Sequence, residues 1–231
     1  MLHCLLINLE SAEERRIFSI KNLSKLNLDV TLINAVPASS TKNLTFNISD
    51  SAKACFESHS KSWHYIRSEQ LNCALVCEDD FYPARRLLNL DSILESFNKI
   101  DWDVIQIGFL SIGINAKIEI WLKNTQSSMF WVLGRLVEKF SKNSSILHRK
   151  RIRDALLAPR GFVFGDFQSG SHAYLVSSNG ARKLSELPTN LMPVDAMLHI
   201  LAECNSITTF RSRKSYVSQF AFPSQISERN H

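Results

Sequence analysis

The chain has 231 residues, 45% of them hydrophobic and 21% charged, with 7 glycines and 6 prolines. Such a composition belongs to a globular domain large enough to bury a core without staples, and it excludes disordered and fibrous classes. The formal charge of +5, from 27 Lys and Arg against 22 Asp and Glu, suits a partner carrying phosphates; no arginine-rich, zinc-finger or RNP-like motif makes that partner a nucleic acid.

Leu2 to Leu9 reads as a buried strand. Ser11 with Glu14 three residues later is spaced as a capping box, which predicts a helix through Arg15, Arg16, Ile17 and Ile20 to about Leu26. Val30-Thr31-Leu32-Ile33 is a second, β-branched strand. The polar stretch from Val36 to Ser49 is turn-rich, and Asp50 or Ser51 is placed to cap a helix carrying Phe56, His59, Trp63 and Ile66. Cys73 to Cys77 is a short apolar strand closed by three consecutive acids, Glu78-Asp79-Asp80, and Val104 to Ile107 is another strand. From about Ser111 to Arg160 the rhythm breaks into an inserted helical or loop-rich segment. It holds Trp121, Phe130 and Trp131 and a basic run at Arg149-Lys150-Arg151 with Arg153. That run reads as a solvated face or as a peripheral contact with anionic lipid. His172 to Val176 restores a strand, Asn179-Gly180 turns into a helix, and Pro193 opens a last helix with Asp195 in its first turn. Strands alternating with helices predict a single α/β domain over residues 1–231 with a Rossmann-like, mostly parallel central sheet, whose ligands bind beyond the carboxyl ends of the strands.

The five cysteines, Cys4, Cys55, Cys73, Cys77 and Cys204, show neither a CxxC pair nor histidines at zinc-site spacing, so no zinc site or disulfide framework is expected. The start of the chain lacks a charged region followed by a long apolar one, and no run approaches the roughly twenty apolar residues of a membrane span. A cytoplasmic protein is expected.

The acidic triplet is where chemistry is first suggested. Carboxylates at a strand end supply the hard oxygen ligands that Mg²⁺ or Mn²⁺ prefers, and such an ion neutralises a diphosphate leaving group; the bland alternative is a solvated acidic turn. A nucleotidyltransferase would use the same acids, but no glycine-rich phosphate loop accompanies them. The ordered set Ile7-Asn8-Leu9 with Arg15-Arg16, Ser58-His59, Glu78-Asp79-Asp80, His172 to Val176, Gly180 to Leu184, Pro193-Val194-Asp195 and Gln219 resembles glycosyltransferase family 25. That family includes lipooligosaccharide galactosyltransferases and collagen galactosyltransferases. The sequence departs from the family pattern at Pro37-Ala38, and again at Ala54-Cys55, where glycine-cysteine is common.

The resemblance implies a GT-A fold, a UDP-sugar donor (most often UDP-galactose), a divalent cation, and inverting transfer to a hydroxyl of a glycan or glycolipid such as lipooligosaccharide. The alternative is a non-catalytic glycan- or protein-binding module that keeps the fold. Asp80, with Glu78, is the expected metal ligand. Asn8, Arg16, Ser58, His59, Glu78, Asp79 and Gln219 are expected around the nucleotide sugar, Asp195 as general base, and His172 as a second catalytic residue able to reach the metal, the phosphates or the acceptor. Each has a bland counterpart. Asn8 can cap a turn, Arg15 and Arg16 can be solvated helix positions, and His59 and His172 can be satisfied packing residues. Asp195 at a helix start favours the helix dipole. Tyr174 and Trp63 read as core rather than as sugar-stacking platforms.

Overall fold

A computed structural model describes residues 1–40, 48–83, 89–110, 117–118, 120–125, 158–188, 192–220 and 222. Strand β1 (Leu2–Asn8) leads through helix α1 (Glu13–Leu23) and a short 3₁₀ turn to β2 (Leu28–Asn34). Helix α2 (Asp50–Ser68), β3 (Cys73–Glu78), the short β4 (Phe81–Pro83), α3 (Leu90–Ser96) and β5 (Val104–Gly108) follow. Beyond them come β6 (Phe162–Phe164), β7 (Ala173–Ser177), α4 (Ser178–Ser185), α5 (Val194–Glu203), β8 (Thr209–Ser212) and β9 (Val217–Gln219). Most of the predicted 111–160 insertion, including Phe130, Trp131 and the basic run, lies outside the described residues. Residues 120–125 within it are helical.

One sheet carries the strands in the order β2-β1-β3-β7-β5-β8-β6, with β9 pairing β4 and β5 at one end. β1 is parallel to both β2 and β3, and β5 is parallel to β8 and β9. β7 runs antiparallel between β3 and β5, and β6 and β4 are likewise reversed against β8 and β9. Most strands therefore share a direction, but a reversed strand sits at the centre of the sheet. The chain leaves β1 for β2 on one side and returns as β3 on the other, so a topological switch point opens between the carboxyl ends of β1 and β3.

Alternation along the central strands sorts the core into two layers. Leu5, Ala74, Val76, Val104, Tyr174 and Val176 face α2, α4 and α5, packing with Phe56, Trp63 and Ile66. Cys4, Leu6, Leu75, Cys77, Ile105 and Leu175 face the other way, among Leu23, Phe97 and Phe210. Trp63 and Tyr174 are fully buried, as the core reading of them expects. Among the described residues no helix is long and apolar enough to cross a membrane.

Three helix starts differ from expectation, the simplest being α4, which begins at Ser178 and so holds Asn179 and Gly180 in its first turn rather than after a turn. The Ser11/Glu14 capping box does not form: Ala12 is the cap residue, without a side-chain bond. The chain turns first, with the Ala12 amide donating to the Leu9 carbonyl and the Asn8 side-chain amide to the Ala12 carbonyl, which leaves Ser11 outside the helix. For α2 the cap is Ser49 rather than Asp50 or Ser51. Its hydroxyl accepts from the Ala52 amide at 3.2 Å, and Asp50 falls in the first turn, where its charge favours the helix dipole.

Helix α4 starts under a backbone constraint. Ser177 caps it by accepting from the Gly180 amide at 3.0 Å, and a Cβ on Gly180 would overlap the Asp103 carbonyl, which itself accepts from the Ser177 amide. Ala normally gains about 0.8–1.0 kcal/mol over Gly in a helix, but overpacking costs about 1–3 kcal/mol. A backbone neighbour cannot rotate away, so Gly180→Ala is expected to lower stability on balance, read as a lower denaturant midpoint. An unchanged or higher midpoint would show that the two segments part easily.

Candidate active site

The switch point opens into a cleft of about 1730 Å³. Asn8, Arg15, Ser58, His59, the three acids and Gln219 all line it, together with Cys55, Phe220 and Phe222. Arg16, His172 and Asp195 are not on its wall.

The acids divide between two sets of partners. Glu78, the last residue of β3, turns toward α2: its carboxylate lies 3.3 Å from His59 Nε2 and accepts from the Ser171 hydroxyl at 3.3 Å. Asp79 and Asp80 turn toward α1. Asp79 pairs with Arg15 at 2.5 Å and accepts from the Asn8 amide at 2.8 Å, while its carbonyl takes the Ser19 hydroxyl at 2.7 Å. Asp80 sits 3.5 Å from the same guanidinium.

Charge crowding is strongest at Asp80. Burial, then the neighbouring Glu78 charge, raise its pKa to about 7, with Arg15 opposing and Asp79 reinforcing. Burial also raises Asp79, against Arg15 and Asn8. Burial works against ionised Glu78 too, but His59, His172 and Ser171 outweigh it and hold that carboxyl below its ordinary value. Among the described residues Asp80 Oδ1 and Arg15 Nε are buried without a hydrogen-bond partner. The cleft wall thus carries one spare acceptor on an acid and one spare donor on a base.

The remaining residues fall into place around this wall. Arg16 stands behind it, donating to Asn8 Oδ1 at 3.3 Å and to the Glu10 carbonyl at 3.5 Å, so it braces Asn8 while Arg15 faces the acids. The Ser58 hydroxyl is spoken for: it accepts from the Val36 amide at 2.8 Å and donates to the Ala54 carbonyl at 2.6 Å, tying the loop after β2 to α2. Gln219 ends β9 opposite Phe81. His59 is fully buried, with Nδ1 2.7 Å from the Tyr174 hydroxyl, which also accepts from Trp63 Nε1 at 3.0 Å. Burial opposes a charge on His59, but Tyr174, Cys55 and Glu78 around the ring hold its pKa well above the ordinary imidazole value.

His172 and Asp195 form a second cluster behind Glu78. Burial pushes the His172 pKa down, against the Val217 carbonyl, Glu78 and Asp195. The ring donates from Nε2 to the Val217 carbonyl at 3.2 Å, which leaves Nδ1 a buried acceptor with no partner among the described residues. Asp195 Oδ2 accepts from the Gly170 amide at 2.8 Å, and its Oδ1 is likewise buried and unpartnered. Gly170 has a φ of 97°, and a Cβ there would press on the Leu110 amide and on His172. The stretch from Gly165 to Gly170, which its glycines suggest is flexible, is pinned: Gln106 donates to the Gln168 and Gly170 carbonyls and accepts from the Gln168 amide. Asp166 within it is buried in ion pairs with Arg211 at 2.5 Å and Lys123 at 3.0 Å. Those two cations overcome burial and lower its pKa.

Residues 1–198 match the profile described as Glycosyltransferase family 25 (LPS biosynthesis protein). The chain belongs to glycosyltransferase family 25. Among similar proteins, Procollagen galactosyltransferase 1-A of Xenopus laevis is 24% identical over 94% of this chain and 34% of its own length. Procollagen galactosyltransferase 1-B of the same organism is 25% identical over 91% of this chain and 32% of its own. The chain thus spans about a third of the length of those relatives. A solved structure, A197 from STIV, covers 97% of this chain and 87% of its own at 10% identity and a TM-score of 0.46, too distant a likeness to bear on the fold.

In this family 25 chain the sequence points to Arg16 rather than Arg15 around the nucleotide sugar, and it gives Cys55 and Ser171 no role in the site. Arg15 and Arg16 are adjacent, and only the pitch of α1 decides which meets the acids. Cys55 did leave a signal, since it stands one helical turn before His59 and so on the same face of α2.

Proposed function

We propose that this chain is a metal-dependent, inverting glycosyltransferase of GT-A type. It transfers a hexose, galactose in keeping with the names of its relatives, from a UDP-sugar to a hydroxyl of a cell-surface glycan such as lipooligosaccharide. The observation that carries the reading is the acidic wall at the switch point, above all Asp80. Its buried, unpartnered oxygen and raised pKa mark a carboxylate group short of positive charge, because one arginine is shared between Asp79 and Asp80 while Glu78 is engaged elsewhere. Hard oxygen donors with unsatisfied charge fit Mn²⁺ or Mg²⁺, and Asp80 would hold it, with Glu78 joining only by giving up its bonds to His59 and Ser171. When bound, such an ion supplies charge neutralisation for a departing diphosphate.

The chain's own groups account for the other tasks. Asn8 and Arg15, at the ends of β1 and the start of α1, line the side of the cleft on which a nucleotide would lie, and the spare Arg15 Nε–H suits a phosphate oxygen. Asp195 stands off the cleft wall with its free oxygen buried, so the role of general base requires that an attacking hydroxyl be admitted to it; oriented by the Gly170 amide through one oxygen, it keeps the other as the proton acceptor. His172, neutral and with Nδ1 unprotonated, backs that cluster without adding charge. Asp166, the other carboxylate in this part of the chain, is unsuited to the same work, since its basicity is consumed by Arg211 and Lys123.

The test is a screen of several UDP-sugars with Mn²⁺, reading free UDP with and without glycan acceptors. Release for one sugar, lost on chelation and restored by the metal, is the expected result. Donor binding without turnover in any combination would make the chain a non-catalytic binding module instead. No binding to any UDP-sugar would overturn the donor assignment.

A further inference from the structure

The cleft has a second wall whose chemistry differs from that of the acids facing α1. Cys55, His59 and Glu78 place one thiol sulfur, one imidazole nitrogen and one carboxylate oxygen within 4.8 Å of one another. All three residues line the cleft. Cys55 and His59 share a face of α2 by their four-residue spacing, and Glu78 meets them from the end of β3. In a tetrahedral zinc site with bonds of about 2.0–2.3 Å, neighbouring donor atoms stand roughly 3.3–3.8 Å apart. The group therefore needs to close by only about 1 Å to hold an ion, and Cys55 and Glu78 are each partly exposed and able to shift.

We propose that Cys55, His59 and Glu78 form a three-ligand site for a thiophilic divalent cation of the Zn²⁺ type, with its fourth position open to the cleft. The donor set argues for the class of ion. A sulfur and an imidazole disfavour Mg²⁺ and suit Zn²⁺ or Co²⁺, and three protein ligands with one open position is the arrangement that keeps water or a ligand oxygen on the metal. The imidazole is already set for the role. Its Nδ1 is fixed by the Tyr174 hydroxyl at 2.7 Å, itself anchored by Trp63, which directs Nε2 to the Glu78 side where the ion would sit. In the metal-free chain the Nε2 proton bridges to Glu78; binding displaces that proton and the thiol proton to solvent, and the cation takes their place between the three ligands.

The site shares Glu78 with the proposed Mn²⁺ or Mg²⁺ position but requires neither nucleotide nor Asp80, so its thiolate signature stands or falls apart from the donor assignment. The test uses chelator-treated, reduced protein titrated with Co²⁺ alone, followed by displacement with Zn²⁺. The expected result is one thiolate-bound ion per chain, read from a thiolate-to-cobalt charge-transfer absorption that saturates at one equivalent. That band should persist in Cys204→Ser, which removes an exposed thiol elsewhere, and in Asp80→Asn. In Cys55→Ser the band should vanish, with Zn²⁺ affinity falling by more than the about 10- to 100-fold that loss of an outer-shell partner costs. Cys55→Ser keeps size and shape at a partly exposed position, and circular dichroism checks its folding, so the test does not depend on the buried His59. Absence of the band in the unaltered chain, its survival in Cys55→Ser, or its loss in Cys204→Ser or Asp80→Asn would overturn the site.

Discussion

Asp80→Asn is expected to cut sugar transfer by about 10³-fold or more while leaving the unliganded protein at least as stable as before, and above neutral pH more stable. The two halves come from the same cause. In the folded chain the Asp80 carboxyl has its pKa raised to about 7 by burial and by the Glu78 charge. A folded-state pKa above the unfolded one means that the protonated form is favoured by folding. Its contribution is fully present below the ordinary carboxylate range and is lost as pH rises through about 7. Asparagine, neutral throughout, removes that loss, so denaturation midpoints of mutant and parent should diverge in the mutant's favour between pH 4 and pH 8. A divalent cation supplies the same relief to the parent. Its affinity should climb about tenfold per unit as pH approaches 7 and flatten above, with a proton released on binding. Full activity in the mutant, or an apo protein plainly destabilised by the change, would place Asp80 among structural residues.

Asp195→Asn should lower turnover about 10²- to 10⁴-fold, the usual worth of positioned proton removal, with donor affinity and fold retained. The substitution is conservative in this setting. Among the described residues Asp195 makes one hydrogen bond, accepting from the Gly170 amide at 2.8 Å, and an asparagine carbonyl can replace it. What changes is the unpartnered Oδ1, which becomes an amide nitrogen and can accept nothing. The parallel change Asp166→Asn should behave in the opposite way, because that carboxylate is the counter-ion of a fully buried Arg211 and breaking such a pair costs about 3–5 kcal/mol. A lowered melting temperature with turnover per folded molecule preserved is the expected outcome there. If Asp195→Asn weakens UDP-sugar binding and leaves turnover intact, the residue belongs to the donor site.

Much of this was legible because burial writes a period into the sequence. The strand at Cys73 to Cys77 is apolar on both faces, as a strand covered on two sides has to be, and the acids that follow mark where it reaches the cleft. β4, β6 and β9 were not legible, since three residues hold too little pattern, and β8 was disguised by Arg211, which looks solvated until Asp166 and Asn124 are seen around it. The direction of β7 was hidden for another reason. Its composition is the same whether it runs parallel or antiparallel, and only pairing with β3 and β5 decides. At the site, sequence gave the residue types and the order of the acids, but not the division of Glu78 from Asp79 and Asp80, which depends on where α1 and α2 stand.

The pairing of β4 with β9 bears on how the protein comes into being. Phe81 meets Gln219, and the Phe220 amide donates to the Asp80 carbonyl at 2.8 Å, so the backbone of the acidic turn is held by a segment made far later in translation. Until Val217 to Phe220 has left the ribosome, β4 lacks this partner and the strand edge of β5 beside it is incomplete. Contacts so distant along the chain close slowly, and an open strand edge invites pairing with other chains in the interval. Until then the acidic turn lacks its native fastening, so changes at Val217, Gln219 and Phe220 are expected to raise the insoluble fraction formed during synthesis.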